Sequence, residues 1–169
     1  MEDSAVRILR DNKIMAIATV RPDGWPQTTL VSYANEGLLI YFNVSRSSQK
    51  FANLHQDDRV SLAIGHDFFD PSTIRALSVS GRASEVRDRE QRSHALNMLL
   101  ERHPGLRRLE MPSSETSTII RIMPEHVSIL DYSKGFGHAD ELTVSPGGVL
   151  MNPARDDDWG FGGELKPVS

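Results

Sequence analysis

Alternating apolar and polar positions in the first part of the chain predict three β-strands joined by tight turns. Residues 13–20, 26–33 and 38–43 are rich in aliphatic, β-branched and aromatic side chains, which favour strands. A Pro-Asp-Gly sequence and an Asn-Glu-Gly sequence separate them, and both are typical of turns. The segments are therefore expected to form an antiparallel meander. The apolar spacing over residues 3–10 predicts a short helix before it.

The rest of the chain mixes helices with longer strands. Ser45 is predicted to cap a helix over residues 46–55, and Asp88 with Gln91 resembles a capping box for a helix over 88–101. Further strands are predicted at 59–64, at 74–86 with a bend at Gly81, and at 116–122 and 126–131 with a break at Pro124. A meander without intervening helices indicates a mainly β, α+β fold. It favours a closed or partly closed antiparallel barrel over a doubly wound sheet.

After Tyr132 the chain becomes glycine-rich and acidic, and its periodicity fades. The predicted organisation is one domain over residues 1–140. An extended arm over residues 141–169 is expected to follow, either disordered or lying on a partner chain.

Composition narrows the classes of function. The 169 residues carry a formal net charge of -4 and a pI of about 5.8, which argues against nucleic-acid binding. Without cysteine, the chain has no disulfide, thiolate nucleophile or Cys-ligated zinc. The six histidines are scattered, and no metal site is predicted. We expect a cytoplasmic protein that binds no membrane, because neither a signal-peptide pattern nor a membrane-spanning apolar run is visible.

Residues 41–50 contain the strongest candidate for a binding site. A strand ends and a helix begins there, and a helix N-terminus offers free N–H groups and a positive dipole end to a phosphate. The segment also carries hydroxyl and basic side chains suited to a phosphate, namely Ser45, Ser47, Ser48, Arg46 and Lys50. The alternative is a capped surface helix with solvated side chains. No Gly-x-Gly-x-x-Gly or P-loop sequence offers a different phosphate site.

A series of short segments occurs in an order typical of one protein family. They are residues 15–20, 23–26, 39–42, Ser45 with Lys50, Asn53-Leu54, 59–62, 79–83 and Val86. In sequence and spacing they resemble the pyridoxamine 5'-phosphate oxidase-like family of FMN-binding split barrels, over residues 5–135 or so. The resemblance implies an antiparallel, Greek-key-like split β-barrel flanked by two or three helices.

The resemblance also implies a homodimer with two FMN sites, each lined by both subunits. The isoalloxazine ring would lie beside the second strand, at Gln27, Thr28, Thr29 and Leu30. The phosphate end would be formed by Ser45, Arg46, Ser47 and Lys50, and closed by Phe42 and Asn43. The opposite subunit would contribute Arg75 and residues 77–81. From the residues alone, ordinary β-branched strand residues are the preferred interpretation of Thr28 and Thr29, and Arg75 is equally a solvated residue at a strand end.

Residues 130–140 form a second candidate region. Lys134 and His138 could face negative charge on a reduced flavin or on a substrate, which predicts a substrate pocket there. Gly135 and Gly137 would allow the backbone to approach a ligand or a partner chain closely. The alternative is a glycine-rich loop with solvated side chains.

The C-terminal end separates the chain from the vitamin oxidases proper. Those enzymes end in a segment with Arg and Trp that helps to hold the substrate, whereas here Trp159 is followed by Gly-Phe-Gly-Gly. The resemblance therefore predicts an FMN-dependent oxidoreductase acting on an unidentified small molecule. A deazaflavin-dependent reductase, or a non-enzymatic module that binds flavin or haem, are the alternatives.

Overall fold

The computed structural model describes residues 1–109 and 113–157. The helices are α1 (Glu2–Asp11), α2 (Gln49–Gln56) and α3 (Arg89–Arg102). The strands are β1 (Ile14–Val20), β2 (Pro26–Ser32), β3 (Ala34–Glu36), β4 (Leu39–Ser45), β5 (Arg59–Ile64), β6 (Arg75–Glu85), β7 (Ser117–Asp131), β8 (His138–Ser145), β9 (Gly148–Met151) and β10 (Arg155–Asp156). None of the described helices is long and apolar enough to cross a membrane.

The ten strands form one antiparallel sheet, which divides at β7. Its main order is β10-β8-β7-β6-β5-β1-β2. The first half of β7 pairs with β4 and the second half with β8, while β6 runs along the other edge of β7 for its whole length. Because β4 and β8 share one long strand, the curled sheet splits between them. This architecture confirms the predicted α+β split barrel.

Strand β7 is one strand of 15 residues, where the sequence predicts two strands broken at Pro124. Proline has no N–H to donate to a sheet. The sheet absorbs it through a register shift between Ser80 and Gly81, and Gly81 lies opposite Pro124. A Cβ atom on Gly81 would lie 2.4 Å from the Met123 carbonyl oxygen. This close approach explains why glycine occupies the position.

Alternation along the strands builds the core of the barrel. In β1 and β5 every second side chain is buried, and Met15, Ile17, Phe42 and Ile122 have no exposed surface. A second, smaller apolar cluster lies beneath α3. A slip of one residue would turn these side chains to solvent, so their burial fixes the strand register.

Helix α2 begins later than the sequence predicts. Ser48, and not Ser45, is its N-cap, because the Ser48 hydroxyl accepts a hydrogen bond from the Phe51 N–H at 3.2 Å. Ser45 is still the last residue of β4. The Arg46 N–H also donates to the Thr116 carbonyl at 2.9 Å, so sheet-like bonding continues past the predicted start of the helix.

Residues 138–156 continue the sheet instead of leaving it. Strand β8 pairs with β7, and β9 and β10 each pair with β8. The predicted boundary after residue 140 therefore falls inside β8, and residues 141–156 belong to the barrel. The sequence obscures this strand because Asp140, a polar residue, is buried between Ala139 and Leu142. Residues 158–169, the remainder of the predicted arm, lie outside the described residues.

Candidate functional site

Strand β2, which the resemblance places beside the flavin ring, is an edge strand. It pairs with β1 on one side and with no described strand on the other. Thr28 and Leu30 are exposed, whereas Gln27 and Thr29 are half-buried. The Thr29 hydroxyl is buried and has no hydrogen-bond partner among the described residues. An open backbone edge and an unsatisfied hydroxyl therefore meet in this strand.

A buried asparagine ties helix α2 to this edge. Asn53, which has no exposed surface, donates through Nδ2 to Gln27 Oε1 and to Thr19 Oγ1, both at 2.9 Å. Its own Oδ1 accepts from Gln49 Nε2 at 2.9 Å. The amide thus fixes the start of α2 relative to β1 and β2. Asn53 belongs to the segments that carry the resemblance, but the sequence does not reveal its role, because one polar residue in a short helix is usually solvated.

The serines before α2 form a compact turn. The Ser45 and Ser47 hydroxyls lie 2.9 Å apart, and the Ser47 N–H donates to Ser45 Oγ at 3.3 Å. The Ser48 hydroxyl donates to the Ser45 carbonyl at 2.7 Å and also caps α2. The Ser48 hydroxyl is therefore committed to the turn, whereas Ser45 and Ser47 remain exposed.

Lys50, in the first turn of α2, is a half-buried cation. The described residues provide no hydrogen-bond acceptor and no acidic partner for its ammonium group. Burial lowers the pKa of Lys50 below its ordinary value. A desolvated positive charge without a counterion is unfavourable, and an anionic ligand beside it would relieve the penalty.

Arg46, predicted to bind the same phosphate, has partners within the chain. Its Nη2 lies 2.6 Å from Glu85 Oε1 in β6, and its Nε donates to the Ser114 carbonyl at 3.0 Å. The guanidinium carbon also lies 5.5 Å from the centre of the Phe51 ring. Burial acts to raise the pKa of Glu85, but hydrogen bonds from Thr118 and Arg46 lower it overall. The structure thus directs Arg46 to β6, where it anchors the turn.

The two predicted residues of β4 differ in their exposure. Phe42 is fully buried in the barrel core, so its side chain does not face an open site. Asn43 is exposed and lies opposite Ile119 of β7. The structure therefore brings Gln27, Ser45, Ser47 and Lys50 together around α2, and it leaves the Phe42 ring in the core. Thr29 lies on the same face of β2 as Gln27.

Arg75 lies at the opposite end of the barrel. It begins β6 and contacts Asp131 at 3.5 Å, whereas Glu85, the partner of Arg46, ends the same strand. Eleven residues at about 3.3 Å each put the two ends of β6 roughly 30 Å apart. Within one chain, Arg75 and Lys50 cannot contact the same small ligand.

Lys134 and His138 lie at this second end, within a charged cluster. His138 Nδ1 lies 2.6 Å from Asp156 Oδ1, and Nε2 lies 3.2 Å from Asp140 Oδ1; we call this arrangement the His138 bridge. Lys134 forms an ion pair with Asp140. Carboxylates accept hydrogen bonds, so both contacts require a ring that is protonated on both nitrogens. Among the described residues, no group of histidines and acids is arranged to hold a metal ion.

A long strand shared between the two halves of a curled sheet defines a split-barrel protein. A family model described as pyridoxamine 5'-phosphate oxidase matches residues 1–131. The chain therefore belongs to the pyridoxamine 5'-phosphate oxidase family, as its resemblance predicts. No curated protein matches the chain.

Solved structures with this fold have diverse descriptions. A Listeria innocua protein described as a candidate pyridoxamine 5'-phosphate oxidase is 21% identical, with a TM-score of 0.64, covering 77% of this chain and 98% of its own. A haem-binding protein from Mycobacterium smegmatis is 15% identical, with a TM-score of 0.67, covering 99% and 90%. An F420 reductase is 27% identical, with a TM-score of 0.58, covering 72% and 94%. The first two likenesses show the fold alone.

Proposed function

We propose that this protein binds FMN as a homodimer and acts as an oxidoreductase on a small molecule. Lys50 carries the proposal, as a half-buried cation with no acidic partner among the described residues. It lies in the first turn of α2, and the exposed hydroxyls of Ser45 and Ser47 lie in the turn that immediately precedes this helix. A phosphate monoester would supply the missing counterion and accept hydrogen bonds from the hydroxyls. Membership of a family named for a flavin-dependent oxidase supports FMN as the bearer of that phosphate.

In this proposal the phosphate lies at the N-terminal end of α2. Lys50 supplies the charge, while Ser45, Ser47 and the free N–H groups of the first helical turn supply hydrogen bonds. Arg46 acts indirectly, because its ion pair with Glu85 holds the turn in place. The proposal therefore differs from the sequence-based expectation, in which Arg46 and Lys50 both bind the phosphate.

The isoalloxazine ring would lie along β2. The open edge of this strand presents N–H and C=O groups that can pair with the polar pyrimidine part of the ring, as they would with another strand. The buried Thr29 hydroxyl offers a further hydrogen bond. When bound, FMN supplies the redox chemistry, and the chain binds and orients it. Asn53 fixes α2 against β2 in advance, which lowers the ordering cost of binding.

A second copy of the chain is proposed to cover the outer face of β1, β5 and β6. Neighbouring side chains on this face are small: Ala16, Ala18, Ser61, Ala63, Ser78 and Ser80. Exposed Ile14 and Leu30 flank them, with exposures of 52% and 74%. A face of small side chains flanked by exposed apolar ones suits close packing of two sheets. Sedimentation equilibrium measures whether the chain is a dimer.

The phosphate assignment is tested by comparing FMN with riboflavin, which lacks the phosphate. Quenching of flavin fluorescence gives both dissociation constants for the wild type and for Lys50→Gln. Loss of a charge-assisted contact of about 1.5–3 kcal/mol predicts FMN binding weaker by about 10- to 150-fold. Riboflavin binding is expected to stay nearly unchanged.

Lys13→Gln is the matched control, because Lys13 is exposed and lies before β1. It removes the same charge and is expected to alter neither dissociation constant. If the wild type binds FMN no better than riboflavin, or if both variants weaken FMN equally, the phosphate is not held by Lys50.

A deazaflavin cofactor is the second candidate, because the F420 reductase is the most similar in sequence of the three structures compared above. Deazaflavin cofactors also carry phosphate, so Lys50 alone does not separate the two candidates. Titration with FMN and with F420 separates them: tighter binding of F420 by the wild type would replace FMN in the proposal.

A further inference from the structure

A second cavity lies at the Arg75 end of the barrel and takes no part in the proposed phosphate site. It is a cleft of about 510 Å³ between α1, the loop after β5 and the facing ends of β6 and β7. Its floor is apolar: Ile8 and Ile129 line it and are 7% and 2% exposed. The cleft therefore offers both volume and some apolar surface to a ligand.

Two arginines stand at the rim of this cleft. Arg7 of α1 has no acceptor among the described residues, and Arg75 makes one long contact, from Nε to Asp131 at 3.5 Å. Planar guanidinium groups recognise carboxylates in a bidentate manner. The terminal nitrogens of both side chains are therefore available to one anionic group.

An aromatic wall closes one side of the cleft. The His66 and Phe68 rings lie with centroids 4.3 Å apart. His66 Nδ1 contacts Asn12 Oδ1 at 3.2 Å, and Asn12, which is 7% exposed, donates in turn to the Ile8 carbonyl at 2.9 Å. Because an amide oxygen only accepts, Nδ1 is the donor in this contact, and Nε2 has no hydrogen-bond partner among the described residues. The wall is thus held by hydrogen bonds to α1.

The charges around the cleft limit the class of ligand. Arg7 and Arg75 are offset by Asp11 and Asp131, which also line it, so the four formal charges sum to zero. Such a site favours a ligand with one negative charge over a polyanion such as a nucleotide triphosphate. The apolar floor and the aromatic wall favour a flat hydrocarbon body.

We propose that this cleft binds a small aromatic monocarboxylate, with its carboxylate between Arg7 and Arg75 and its ring against Phe68. In the dimer proposed above, Arg75 would lie beside the flavin of the partner subunit, as the resemblance implies. The bound acid would then be placed as substrate for that flavin, a step that rests on the proposed function. Binding in the cleft itself does not depend on flavin.

The test uses 1-naphthoate as the probe and 1-naphthylmethanol as its uncharged analogue. Binding to the full chain, free of flavin, is followed by the fluorescence of the naphthalene ring. We expect the wild type to prefer the carboxylate, and Arg7→Gln to weaken naphthoate by about tenfold or more while leaving the alcohol unchanged. Phe68→Ala is expected to weaken both compounds.

Arg10→Gln is the matched control, because it removes an exposed arginine from the same helix without touching the cleft. Equal effects of Arg7→Gln and Arg10→Gln, or no preference for the carboxylate, would overturn the proposal. The measurement is then repeated with saturating FMN. Retained naphthoate binding supports a separate cleft, whereas its competitive loss would show that the probe occupies the flavin site. If the protein does not bind FMN, the naphthoate titration without flavin still tests the cleft by itself.

Discussion

Arg102 is expected to stabilise the fold, and its contacts allow the size of its contribution to be predicted. One terminal nitrogen of this last residue of α3 lies within hydrogen-bond distance of three carbonyl oxygens at the C-terminal end of α1, those of Leu9, Arg10 and Asn12. Its two N–H groups are shared among these three acceptors. Its guanidinium carbon also lies 5.4 Å from the centre of the Tyr33 ring. Burial raises the pKa of Tyr33 to about 12, even though nearby Arg102 lowers it, and the Tyr33 hydroxyl donates to Leu9 O at 2.8 Å. One cation thus satisfies carbonyls that α1 cannot pair internally.

Replacing Arg102 with methionine keeps much of the apolar stem and removes these donors. A hydrogen bond to a charged group contributes about 1.5–3 kcal/mol, and a cation at a helix C-terminus adds roughly 0.3–1 kcal/mol. The three contacts share one nitrogen and are not additive. We therefore expect the free energy of unfolding to fall by about 2–4 kcal/mol. For a domain of this size, that loss corresponds to about 5–15 °C in Tm.

Urea unfolding followed by circular dichroism measures the effect. Arg89→Met is the matched control. It removes the same charge, and Arg89 is exposed at the other end of α3. The control is expected to stay within about 0.5 kcal/mol of the wild type. An equal loss in both variants, or no loss in either, would refute the assignment of Arg102 as the anchor of α1. Naphthoate binding should weaken with Arg102→Met, since α1 forms one wall of the cleft.

Two further predictions concern the His138 bridge and the proposed dimer. Partial burial acts to lower the pKa of His138, but its two carboxylate partners raise it overall. The bridge therefore stabilises the fold fully below the ordinary histidine pKa of about 6.5, and this stabilisation is lost as the pH rises through the raised pKa. In urea unfolding at several pH values, His138→Asn should abolish this loss and exposed His126→Asn should keep it; an unchanged pH dependence in His138→Asn would contradict the bridge. Leu30→Asp should raise the dissociation constant of the dimer at least about 100-fold and weaken FMN binding, because it buries a charge in each subunit. Leu109→Asp, at a comparably exposed leucine, should leave sedimentation unchanged; equal behaviour of the two variants would place the interface elsewhere.

Local patterns were sufficient to predict much of the barrel. The predicted bounds of β5 coincide with Arg59–Ile64, because a strand with one buried face shows its period in the sequence. The Asp88 cap of α3 is confirmed, with its carboxylate accepting from the Gln91 N–H at 2.9 Å, because a cap depends on residues a few positions apart. Local signals failed where distant residues intervened. Ser45 looks like a helix cap in the sequence, but pairing with Ser117 of β7 makes it the last residue of β4.

The candidate site was less predictable, because ion pairing depends on tertiary structure. Arg46 and Lys50 look equivalent in the sequence, yet Arg46 finds Glu85, 39 residues away, and Lys50 finds no described acid. His138 likewise looks free until Asp156, 18 residues on, returns along β8. The sequence can therefore nominate basic residues near a phosphate, but it cannot tell which of them the fold has already neutralised.

The two proposed sites together give a physical reason for the proposed dimer. Lys50 and Arg75 lie near opposite ends of the barrel, so one chain cannot bring both to a single flavin and its substrate. In a two-fold dimer each subunit presents the same face to the other, in reversed orientation. A two-fold axis that lies in the plane of contact, near Ser61 and Ser80 and diagonal to the strands, would carry the Arg75 end of one chain toward the β2 edge of the other. A complete site would then require two copies, and flavin affinity should fall with subunit dissociation even where every ligand-contacting residue is intact.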